Sequence, residues 1–140
     1  MIKIIIQAAQ NFLNNDLGLS TIHCDQLVDN GYISLITATT IKDKYEVYIS
    51  CCSDFLRIIS DVMLFDDNPD VATMDDLNKE LNNIIIGSAK VLAEQQEFAS
   101  FTISTPLSLG EKKFDINYDD SATLSINEKR LTIAIKRLIE

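Results

Sequence analysis

A chain of 140 residues, 46% of them apolar, is long enough for one domain with one substantial core. Its 21 acidic and 12 basic side chains leave a formal charge of -9, which repels a phosphate backbone and sets nucleic acid aside as a partner, so a protein or a small ligand fits better. Three cysteines, Cys24, Cys51 and the adjacent Cys52, cannot all pair within the chain, which argues against a secreted disulfide framework and for free thiols in a reducing cytosol.

The opening Met1–Ile6 is apolar apart from Lys3, but Gln7 and Gln10 interrupt it well short of a signal-peptide core or a membrane span, so neither export nor a membrane is expected. Ile2, Ile5, Ala9, Phe12 and Leu13 recur at helical spacing, and Asn14, Asn15 and Gly18 supply a stop, which predicts a first helix over 2–16. Its three consecutive isoleucines also suit a strand. Residues 19–28 carry no clear period, and Asn30–Gly31 reads as a turn. Ile33, Leu35, Thr37, Thr39 and Ile41 then alternate, as do Val47, Ile49 and Cys51 after Lys42–Asp43–Lys44, which predicts a hairpin. Ser53 is the expected N-cap of a second helix with a stripe of Phe55, Ile59, Val62 and Met63, ending near Phe65.

The acidic stretch around Pro69 cannot continue that helix, and nothing in it discloses a role. Thr73 is the expected N-cap of a third and longest helix reaching about Gln96, with Leu77, Leu81, Ile84, Ile85, Ser88 and Leu92 turned inward. Beyond it, alternation in Phe101, Ile103 and Thr105, in Phe114, Ile116 and Tyr118, in Leu124 and Ile126, and in Leu131, Ile133 and Ile135 predicts strands. Asp119–Asp120 and Asn127–Glu128–Lys129 separate them as turns, and Pro106 ends a strand. Helices followed by strands, without linker or repeat, give an α+β class in which an antiparallel sheet packs against helices, one domain over 1–140.

Chemistry concentrates on the third helix. Asp76, Glu80, Asn83 and Gly87 fall within about 60° of one another at 100° per residue, on a stripe centred about 120° from the apolar one. A carboxylate, a carboxamide and a glycine therefore share an accessible face. These types suit hydrolysis of an acyl phosphate held by another protein, whose own acidic pocket and Mg²⁺ already neutralise the phosphoryl group. The carboxamide of Asn83 can both donate to and accept from a water, fixing it in line with phosphorus without adding charge. Glu80, one turn earlier, suits pairing with a lysine of that partner. Gly87 costs about 1 kcal/mol relative to alanine in mid-helix, and close approach of another backbone would account for it.

The order Asp76, Glu80, Asn83, Gly87 and then Pro106 resembles the signature of the CheC/CheX/FliY family of chemotaxis phosphatases, and the length and single copy resemble CheX most. The similarity runs over most of the chain in element order. It implies dephosphorylation of a phosphorylated CheY-like receiver in the cytoplasm, with catalytic Glu80 and Asn83, partner-binding Asp76 and Gly87, no cofactor of its own, Mg²⁺ in the receiver, and a homodimer built by joining sheet edges. Typical members read Gly-Asn where this chain reads Asn82–Asn83, a departure expected to alter local packing while keeping the active amide. The first two helices hold no Glu followed three residues later by Asn, so a second site is not expected.

Composition alone yields a Glu-x-x-Asn pair in roughly a third of chains this long, so the weight lies in the full pattern. Asp76 has a second reading as a capping-box partner of Thr73. The same helix face also suits a non-catalytic receiver-binding or flagellar-switch module. The single histidine, His23, beside Cys24, lacks further ligands at metal spacing, and the four glycines form no phosphate loop.

Overall fold

The computed structural model of the chain describes residues 1–138, and these form one antiparallel sheet with its helices packed on a single face. In chain order the elements are α1 (Ile2–Gln10), continued by a wider π-helical turn over Asn11–Asp16, then β1 (Ile22–Cys24), β2 (Asn30–Thr39), β3 (Lys44–Cys51), α2 (Ser53–Leu64), α3 (Val71–Gln95), β4 (Thr102–Ile103), β5 (Leu107–Lys113), β6 (Asp120–Ile126) and β7 (Lys129–Leu138). The sheet order is β1-β6-β7-β3-β2-β4, and β5 also pairs with β2, so β4 and β5 share the outer edge of β2.

Period-two alternation puts Tyr32, Ile36 and Ala38 of β2, Val47 and Ile49 of β3, and Leu131 and Ile133 of β7 on the helix side of the sheet. There they meet Leu81, Ile85, Ile86 and Ala89 of α3, Phe55, Leu56 and Ile59 of α2, and Ile4, Ile5 and Leu13 of the N-terminal helix in one core. The isoleucine run is helical because Ile4, Ile5 and Ile6 are all buried there, and that burial outweighs the extended preference of β-branched residues. The opposite face is smaller. Phe114 and Ile116 of the β5–β6 connection lie over Ile33, Tyr48 and Ala134, with Phe114 edge-on to Tyr48 at a centroid distance of 6.4 Å.

Several local expectations are corrected. Asn30–Gly31 begins β2 rather than making a turn: a Cβ on Gly31 would stand 2.4 Å from the Cys51 carbonyl oxygen, so the glycine serves close strand approach. The β2–β3 turn closes one pair earlier than expected, with Thr40 N–H donating to Asp43 O at 2.8 Å. Ser53 is the first residue of α2 and Cys52 its cap; Val62 is exposed, and Leu56 and Ser60 are buried with Phe55 and Ile59. Phe114, Ile116 and Tyr118 form the strap across the sheet rather than a strand. The strand is Leu107–Lys113, whose charged residues and Gly110 suit an exposed edge and hide its period. Pro106 sits between β4 and β5, where its missing N–H removes no ladder bond.

Candidate functional site

The N-cap of α3 is Asp70 rather than Thr73. The Asp70 carboxylate accepts a hydrogen bond from the Thr73 N–H at 2.8 Å, which satisfies one orphan donor of the first turn and holds the Asp70 pKa below its ordinary value of 3.8. Asp76 therefore takes no part in a capping box. It projects outward with its side chain 76% exposed and pairs loosely with Lys79 at 3.5 Å, a surface contact of little energetic weight.

Met74, Leu77, Asn78, Leu81, Asn82, Ile85, Ile86, Ala89 and Ala93 are the buried residues of α3. At 100° per residue their mean direction lies about 180° from Asp76, Glu80, Asn83 and Gly87, so the polar stripe sits on the crest of the helix rather than on its flank. The expected inward stripe was tilted because hydropathy alone reads Asn78 and Asn82 as surface residues, whereas both face the sheet; Ser88 is exposed. Glu80 and Asn83 are both exposed, and neither is engaged in an ion pair or hydrogen bond among the described residues. Neighbours at i and i+3 stand about 5–6 Å apart at Cβ, so one group lodged over the crest can reach both heads at once.

Beside Asn83 the crest falls into an open groove of about 570 Å³, walled by Ile84, Gly87 and Val91 of α3 and by Ala8 and Phe12 of the N-terminal helix. Glu80 and Asp76 lie outside it. A Cβ on Gly87 would meet nothing within 4 Å, so the backbone there is bare toward the groove. The N-terminal wall was not foreseen from the sequence. Its one hint, the asparagine-rich end of the first helix, widens into a π turn with Leu17 N–H donating to Phe12 O at 3.0 Å.

The remaining candidates separate from this site. His23 lies on β1 with its Nε2 3.2 Å from Gln10 Nε2, and among the described residues no group of three or more His, Cys, Asp or Glu could hold a metal ion. Cys51 is fully buried, and burial pushes its thiol well above the usual range; Cys24 and Cys52 are half-buried and all three are free. No helix of the described residues is long and apolar enough to cross a membrane.

The fold is that of known chemotaxis proteins. CheX from Vibrio vulnificus superposes with a TM-score of 0.82 at 17% identity, with 98% of each chain covered. A CheC-like superfamily protein from Shewanella sp. PV-4 gives 0.78 at 19% identity over 99% of this chain and 97% of that one. The CheX–CheY–BeF3–Mg²⁺ complex from Borrelia burgdorferi gives 0.70 at 14% identity over 96% and 97%. No curated protein matches the sequence. The family described as chemotaxis phosphatase CheX matches residues 35–128, more than half of the chain, and that span contains Asp76, Glu80, Asn83, Gly87 and Pro106. The chain belongs to the CheX family of chemotaxis phosphatases.

Proposed function

We propose that the chain hydrolyses the aspartyl phosphate of a CheY-like receiver, with Asn83 placing the attacking water and Glu80 docking on a lysine of the receiver. The observation that carries this reading is the placement of both heads, unengaged, on the crest of α3 in a chain of this family. The Borrelia relative is crystallised with CheY, BeF3 and Mg²⁺, which supports a receiver as the partner. The receiver's acidic pocket and Mg²⁺ carry the phosphoryl charge, so this chain supplies geometry. The Asn83 carboxamide accepts from the water and donates to it, holding its oxygen in line with phosphorus. The water oxygen bonds to phosphorus as the bond to the aspartyl oxygen breaks; the receiver carboxylate is regenerated, and the water proton leaves with inorganic phosphate. Glu80 forms a charge-assisted hydrogen bond that sets the register of the two proteins. Asp76 and bare Gly87 extend the contact along the same crest.

The working form is a cytoplasmic homodimer joined through sheet edges, where Ile22 of β1 and Leu107 of β5 stand exposed. The test is release of phosphate from a labelled receiver. Wild type accelerates it; Asn83→Ala and Glu80→Ala stay folded and each lose about 10²–10³-fold, the scale of a preorganised polar group at a reacting centre. Unchanged release in Asn83→Ala refutes the mechanism, and a complex that leaves receiver lifetime unaltered makes the chain a binding module.

A further inference from the structure

Asn78 and Asn82 are polar residues one turn apart on α3, and both are buried against the sheet, 1% and 0% exposed. Asn78 Nδ2 donates to the Tyr32 carbonyl at 3.0 Å, and Asn82 Nδ2 donates to Ser34 Oγ at 3.1 Å. The Ser34 hydroxyl in turn donates to the Asn78 carbonyl at 3.4 Å. Each amide also approaches β3, at 3.5 Å from Ile49 O for Asn78 and 3.5 Å from Val47 O for Asn82. Both carboxamide oxygens are left without a partner. Two apolar side chains of the same shape would fill this interface without stranding an acceptor, so stability does not account for the pair.

What the two amides add is direction. Leu77, Leu81, Ile85 and Ile86 attract the sheet without specifying an angle, whereas a carboxamide aimed at one carbonyl or one hydroxyl has a single good orientation. We propose that Asn78 and Asn82 are positioning residues that fix the rotation of α3 about its own axis and thereby aim Glu80 and Asn83. This rests on the phosphatase reading. A side-chain head about 6 Å from a helix axis moves about 1 Å for a rotation of about 10°, and a 1 Å misplacement of a reacting group costs on the order of 10²-fold in rate. Asn82 directly precedes Asn83, so its anchor acts where that tolerance is tightest.

The test uses the full chain with Asn78→Leu/Asn82→Leu, leucine sharing the branching of asparagine at Cγ. Its melting temperature equals or exceeds that of wild type, kcat on phosphorylated receiver falls at least about tenfold with a smaller change in KM, and amide signals from Glu80 to Gly87 broaden or double. If the double variant does not fold, Ser34→Ala, which removes the acceptor of Asn82 and keeps both carboxamides, is read by kcat, KM and the amide signals, its melting temperature being lowered by the stranded Asn82 donor. Unchanged kcat with single sharp signals overturns the proposal, as does activity lost only in proportion to folded protein. A wild type without phosphatase activity ends the catalytic reading instead, and the amide signals still decide whether the two asparagines hold α3 in one rotation.

Discussion

Replacing Gly87 by alanine separates folding from docking in one substitution. Gly87 lies in the interior of α3, and its added Cβ would meet nothing within 4 Å, so the methyl group enters open space without a clash. Helix propensity and the reduced freedom of the unfolded chain then favour Gly87→Ala by about 0.5–1 kcal/mol, which for a chain of this size raises the melting temperature by roughly 2–5 °C. In the complex the same methyl group stands between the helix and the receiver backbone expected to approach it. A loss of about tenfold in affinity, equivalent to about 1.4 kcal/mol, is expected, read as raised KM with kcat nearly kept, because Asn83 is untouched. Thermal unfolding and a receiver titration on one preparation measure both. Gly87→Ala that is more stable and binds as well as wild type refutes close approach at this position; a lowered melting temperature refutes the reading of open space.

Gly31→Ala behaves oppositely. Its Cβ would lie 2.4 Å from the Cys51 carbonyl oxygen and 2.8 Å from the Cys51 carbonyl carbon, backbone that can yield only by moving β3, so chemical denaturation registers a loss of about 3 kcal/mol or more. Asp70 contributes to pH dependence: its folded pKa is lowered, so its stabilisation is present above the unfolded value near 3.8 and is lost as pH falls through the folded one. Asp70→Asn, which still caps but does not titrate, flattens that part of an acid-unfolding curve. A thiol reagent modifies Cys24 and Cys52 in the native protein and Cys51 only after unfolding, since Cys51 is fully buried and burial raises its thiol pKa; mass spectrometry counts the adducts.

The elements whose signals are local were legible in the amino-acid sequence. The long α3, the β2–β3 hairpin, the Asn127–Glu128 turn with both residues at positive φ, and the single helix face shared by Asp76, Glu80, Asn83 and Gly87 all follow from period, turn chemistry and spacing. So did the family, because its pattern is carried by residues on one helix and a proline beyond it. Legibility failed where a partner across space sets the outcome. β5 is a strand because β2 offers it an edge, and Phe114–Tyr118 is a strap because the back of the sheet exposes Ile33 and Tyr48. Gly31 is in a strand because Lys112 of β5 pairs with it, and it is glycine because the Cys51 carbonyl stands where a Cβ would lie.

The same division runs through the site. Identity and spacing put Glu80 and Asn83 side by side on one face of a helix, since 100° per residue holds wherever a helix forms. Only the tertiary structure decided that this face is the crest, because the direction of a helix is set by what its other side meets. Two asparagines that hydropathy assigns to water are bound instead to Tyr32 and Ser34, and the N-terminal helix supplies the far wall of the groove. Long-range hydrogen bonds and packing select among rotations that local sequence leaves equivalent.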